Sequence, residues 1–243
     1  MVSTHLGNAA GLLFPLGERF FVRSVRKFAG QVTDPGLAAR IRGFAGQEAL
    51  HAREHERFFL ALTGHGLDPA PFLRVYERLA YRGIEAVTPD VVSLATTVAL
   101  EHFTAVLAEE IFRADLLSRA HPWAAALLRW HAAEEIEHRA VAFDVLRAVD
   151  PRYRVRMAGL VSATLCLAGF WALGFGVLVV QDPDARPFGV ARGLWRVNRE
   201  HRLVARVFVA GIRDYVRRDF HPDQRPEPAA ALAWRAAFDA GAA

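Results

Sequence analysis

The sequence predicts an all-α fold: a four-helix bundle with an added C-terminal hydrophobic helix and an amphipathic helix. Three observations carry that reading. Proline and glycine cut the chain into long segments whose apolar residues recur every three or four positions, and no segment alternates as a half-buried strand would. Glu-x-x-His occurs twice, each time on such a segment. From Met157 to Val180 there is no charged residue.

Pro15 opens a first helix that runs to about Gly30, because proline is tolerated in a first turn. Asp34-Pro35 joins a capping carboxylate to a first-turn proline and starts a second helix reaching Thr63-Gly64. Thr88-Pro89 opens a third, and His121-Pro122 opens a fourth that Asp150-Pro151 closes. The first two helices are joined by a few residues, as are the last two. Between the pairs lies Gly64 to Val87, with a short helix around Phe72 to Tyr81. Two helical hairpins linked by one long crossover is the connectivity of ferritin-like bundles.

Met157–Val180 is long enough to cross a bilayer core. It enters a membrane or packs as a fifth helix on the bundle, and its four glycines and lack of charge favour the membrane. Arg152, Arg154 and Arg156 precede it; Asp182 and Asp184 follow. Phe188 to Phe220 then sets Leu194, Val197, Val204, Phe208, Ile212 and Tyr215 near one face and many arginines on the other. The tail after His221 is Pro-rich, then Ala-rich, and is expected to be poorly ordered at its end. The expected organisation is a bundle over 12–150, membrane-associated C-terminal helices over 151–220 and a tail over 221–243.

Composition narrows the function classes. Hydrophobic residues make up 53% of 243. The net charge is +4, and Lys27 is the only lysine, so the basic character is almost all arginine. Arginine excess suits nucleic acid or an anionic membrane, but no nucleic-acid-binding signature accompanies it, so no nucleic-acid partner is expected. Cys166 is the single cysteine, which excludes a disulfide, a zinc ribbon or a redox pair within the chain. A metal would need histidine and carboxylate ligands, which favours iron, manganese or zinc. No basic region followed by an apolar stretch marks a cleaved leader, so the expected address is the cytoplasm.

The second helix carries Glu48 and His51, and the fourth carries Glu135 and His138. Residues three apart share a helix face, so each pair can grip one ion from a single helix. The first helix adds Glu18 and the third adds Glu101. One lone Glu from each of two helices and Glu-x-x-His from each of the other two is the ligand set of two-metal carboxylate bundles. All six lie on the apolar stripes: Glu48 and His51 fall in line with Ile41, Phe44, Phe58 and Leu62. Four buried carboxylates without a cation would be costly, and two divalent ions remove that cost. His131 and His55 also lie on these faces, as further ligands or as hydrogen-bonding groups that orient one, with His131 ranked ahead. His102 and His65 read as structural or surface residues, and Glu134 yields to Glu135 because Glu135 pairs with His138.

The stretches Phe14-Pro15-Leu16-Gly17-Glu18-Arg19-Phe20-Phe21, Gln47-Glu48-Ala49-Leu50-His51, Ala99-Leu100-Glu101-His102 and Glu134-Glu135-Ile136-Glu137-His138-Arg139-Ala140 resemble a bacterial family labelled predicted metal-dependent hydrolases. That resemblance covers about Leu12 to Arg218 and implies metal binding. His131-x-x-x-Glu135-x-x-His138 is similar, over one helix, to di-iron arylamine N-oxygenases. The leading expectation is a non-haem di-iron oxidase or oxygenase, with two iron ions (manganese or zinc as alternatives), an external electron donor and an apolar small-molecule substrate. A two-metal hydrolase is the alternative, and iron or manganese binding and detoxification the third reading.

Overall fold

The computed structural model describes residues 1–202 and 204–241. It is helical throughout, with no strand among the described residues. Helix α1 (Val2–Ala29) contains Pro15 in its interior rather than at its start. Ala9, Leu12 and Leu13 are buried in one cluster with Phe72 and Leu178. That burial offsets the roughly 3 kcal/mol an interior proline costs, and the helix continues through it. The Asp34 carboxylate caps α2 (Pro35–Gly64) by accepting from the Gly36 and Leu37 amides. The crossover holds α3 (Ala70–Tyr76), which runs through a π-helical stretch, Glu77–Ile84, into the single turn α4 (Glu85–Val87).

The third bundle helix is α5 (Asp90–Arg113). The fourth, expected to be continuous, is divided into α6 (Pro122–His138) and α7 (Val141–Val149). The division falls at Arg139, whose guanidinium donates to the Arg225 carbonyl at 2.8 Å. The main core joins Phe21, Val25, Ile41, Phe44, Leu94, Val98 and Val145 across all four bundle positions.

The uncharged run forms α8 (Tyr153–Gln181), which packs along α5 and α1 on one face and leaves another face exposed. Gly159 sets the approach: a Cβ there would sit 2.2 Å from the Ala95 carbonyl carbon. The single amphipathic helix expected over Phe188–Phe220 is interrupted. Helix α9 (Pro187–His201) ends at Arg202 with φ +50°, and a π-helical turn, Val204–Val209, leads into α10 (Ala210–Tyr215). The tail after His221 carries a further helix, α11 (Ala229–Asp239), with Ala231 buried against Ala108, Ala132 and Ile136. Residues 242 and 243 lie outside the described range.

Candidate metal centre

Four helices deliver eight side chains to one region: Glu18 from α1, Glu48, His51 and His55 from α2, Glu101 from α5, and His131, Glu135 and His138 from α6. None is more than 4% exposed. Two groups form, each with ligand atoms within 4.8 Å of one another: Glu48, His51, Glu135 and His138 in one, Glu18, His55 and His131 in the other. The two Glu-x-x-His pairs therefore meet in one group rather than gripping an ion apiece. His131 belongs with Glu18 and His55, while its Nε2 also lies 2.8 Å from Glu135 Oε1 and links the groups. Glu101 stands beside the first group, with Oε2 3.1 Å from His138 Nδ1.

Most of the buried side-chain polar atoms that lack a partner belong to these residues; the others lie on His5, Arg139, Arg156 and Tyr215. Both oxygens of Glu18, Glu48 Oε2, Glu101 Oε1, Glu135 Oε2, His51 Nδ1 and His55 Nδ1 are buried without a hydrogen-bond partner, and Glu48 Oε1 has only His138 Nε2, 3.0 Å away at poor angle. An unpartnered buried polar atom costs about 1–3 kcal/mol, and more for a charged group, so a cluster of such atoms of ligand type fits cations. Glu, His and no thiolate suits iron, manganese or zinc.

Electrostatics agree. Burial, then the repulsion of Glu48, Glu135 and Glu101, raises Glu18 well above the ordinary carboxylate value. Burial and Glu101 do the same to Glu48. Burial and Glu135 push Glu101 up to about 7. Burial alone would raise Glu135, but the His131 hydrogen bond and the surrounding imidazoles outweigh it and hold Glu135 low. His51 falls to about 4 through burial and its neighbour His131, and His55 is lowered for the same reasons. Burial would lower His138 too, but Glu101 and Glu48 outweigh it and raise that imidazole. Neutral His51 and His55 are in the protonation state that a metal needs.

Neighbouring groups fix the imidazoles. Glu134 takes His51 Nε2 at 2.9 Å and also accepts from Trp130 Nε1 at 3.0 Å. The Trp130 ring meets His51 edge-on at 4.9 Å. Phe14 lies against both His55 and His131 at 4.6 and 4.7 Å between ring centres. A first helix beginning at Pro15 hides Phe14; its place one turn before Glu18 was the available signal. His102 donates to or accepts at no ligand: its Nε2 lies 2.9 Å from the Gly211 carbonyl oxygen. His65 is exposed.

Beside the site lies a cavity of about 120 Å³ between α1, the crossover, α5, α8 and the Val204–Val209 turn. Its wall is largely apolar, including Phe20, Phe103, Phe170, Trp171 and Phe208. Of the eight converging residues, Glu18 alone borders it. Among its polar lining residues is a tyrosine pair, in which Tyr81 donates to the Tyr76 hydroxyl oxygen at 2.6 Å.

Comparison with curated proteins and with solved structures returns no match. The family model described as "Predicted metal-dependent hydrolase" matches residues 1–225, which include every buried Glu and His of the centre. With that match over most of its length and a buried site suited to cations, the chain belongs to the predicted metal-dependent hydrolase family.

Proposed function

We propose that the protein is a two-metal hydrolase acting on a substrate with a large apolar part. The observation that carries this is the coincidence of unpartnered buried ligand atoms with the two His/Glu groups. The family description favours hydrolysis over the dioxygen chemistry that the sequence reading placed first. One ion would be held by Glu48, His51, Glu135 and His138, the other by Glu18, His55 and His131, a helix-borne Glu and His set similar to that of carboxylate-bridged two-metal bundles. A pair of divalent ions supplies Lewis acidity and an activated water at neutral pH.

The chain's own residues do the rest. The apolar cavity takes up the greasy part of the substrate and excludes bulk water. The Tyr76 oxygen accepts a hydrogen bond from Tyr81, which leaves its own O–H for a substrate oxygen near Glu18. Glu134 keeps the His51 ring oriented. Oxidation of the same apolar substrate by di-iron chemistry, with an external electron donor, is the second reading, favoured by the buried, carboxylate-rich interior. Membrane association fits either reading, because the exposed face of α8 is apolar.

The test is elemental analysis followed by two assays. Protein purified without chelator is expected to hold two tight metal ions per chain, with loss in Glu48→Ala and in His131→Ala. Zinc- or manganese-loaded protein should hydrolyse chromogenic esters better as the acyl chain lengthens. Oxygen uptake by the iron-loaded protein with no ester cleavage would transfer the assignment to the second reading. At most one tight ion, unaffected by Glu48→Ala, would overturn both.

A further inference from the structure

Helix α8 is apolar on two sides and packed on one. Its inward side, with Gly159, Leu160, Ala163, Gly174 and Leu178, is buried. Its outward side presents Ala158, Val161, Leu165, Ala168, Ala172 and Val180, spaced three or four apart through most of its length, and all are exposed. Leu165 is 69% exposed and Val180 87%. At about 1.5 Å per residue the stripe extends roughly 30 Å without a charge. Only 17% of the apolar window of α8 is buried, against 72% for α5, the other helix long and apolar enough to cross a membrane. α5 is thus a core helix, and α8 is not.

What adjoins the stripe identifies its partner. The turn Asp182–Arg186 leads from α8 into α9. Both helices lean on the first turns of α1: Trp171 Nε1 donates to the Leu6 carbonyl at 3.0 Å, and Gly193 lies against Val2. No residue of α9 is buried. It shows Phe188, 79% exposed, and Trp195, 60% exposed, among Arg186, Arg192, Arg196, Arg199 and Arg202, with Glu200 the one acid in that stretch. The Arg199 guanidinium stacks 4.5 Å from the Trp195 ring centre. Exposed aromatics beside arginines on one surface helix match the composition of helices that lie in the headgroup region of anionic bilayers.

We infer that the α8 stripe and α9 form a docking face that seats the protein on the surface of an anionic bilayer without crossing it. Crossing is disfavoured because the inward side of α8 is fastened to α5 and α1. Insertion would drag the charged outer face of the bundle, Arg19 and Arg23 included, into hydrocarbon. The inner side of the same helix lines the cavity through Ser162, Cys166, Phe170 and Trp171. An apolar substrate dissolved in the bilayer would thus need to travel only past α8, a route that rests on the proposed function, whereas the docking does not.

Flotation of the full chain with phosphatidylcholine vesicles, with and without phosphatidylglycerol, tests the docking. The protein should float with the anionic vesicles and about tenfold less with the neutral ones. The paired substitution Arg192→Glu and Arg196→Glu should remove most of the anionic binding. Leu165→Glu and Trp195→Ala should weaken it while helix content and metal content stay unchanged. No flotation, or equal flotation on both vesicle types, overturns the proposal. So does a sedimenting dimer that Leu165→Glu dissociates, because a second copy would then cover the stripe. Any of these failures leaves the ester and oxygen assays of the metal centre standing.

Discussion

Each carboxylate in the centre answers to its neighbours, and this makes the metal-free protein sensitive to pH in a definite direction. Glu18, Glu48 and Glu101 are raised above 4.5, mainly by burial. A carboxyl raised on folding keeps protons that the unfolded chain has released, so it withdraws stability as pH climbs past 4.5. His51, His55 and His102, lowered from 6.5, act oppositely. Their contribution is complete once the unfolded histidines are neutral, above about pH 6.5. Beyond that point the raised glutamates and the raised His138 all favour unfolding as protons leave. Chelated protein should therefore lose thermal stability as pH rises above about 6.5 and through the Glu101 value of about 7, by roughly 2–4 °C for each kcal/mol. Metal-loaded protein should hold its Tm, because cations replace the protons. A melting profile of the chelated protein that rises across this range would contradict the assignment. Glu18, Glu48, His51, Glu101, Glu135 and His138 are legible in the sequence as candidates because helical spacing sets them on apolar stripes, whereas the place of Glu101 beside the groups is not. The grouping of His131 with His55 is not, because it depends on how α6 sits against α2.

Among the elements, α8 shows both what sequence supplies and where it stops. Length and lack of charge identify a long apolar helix, but which side of it meets protein is decided by residues far away, on α5 and α1. Gly159 records that contact: a side chain there would strike the Ala95 backbone, which cannot swing aside as a flexible side chain would. Gly159→Ala should cost about 1–3 kcal/mol through overpacking. Thermal unfolding checks it; an unchanged Tm would mean that α8 rides further from α5. The start of α1 escapes sequence reading for a related reason. Pro15 fits either a first turn or an interior position, and the choice rests on Ala9, Leu12 and Leu13 finding Phe72 and Leu178, partners supplied by the crossover and by α8.

Across the whole molecule, the C-terminal segment ties the bundle closed at an acidic point. Glu109 on α5 is fully buried and receives the Arg225 guanidinium at 2.7 Å. Arg113 and Arg139 lie 3.3 and 3.7 Å away. Breaking a buried pair costs about 3–5 kcal/mol, and the two remaining arginines should keep Arg225→Ala near the lower end. The variant should also open the chain beyond His221 to limited proteolysis, and resistance equal to the parent protein would show that α11 holds the tail by itself. The cavity has a different reach. Because Glu18 is the one converging residue on its wall, the proposed function puts selectivity and chemistry on separate surfaces that meet at a single carboxylate. Substitutions at Phe170, Trp171 or Tyr76 can reshape what the cavity admits without touching the other seven side chains. If the proposed function holds, a lineage built on this frame could exchange substrates by gradual change in α3 and α8 while the metal centre stays as it is.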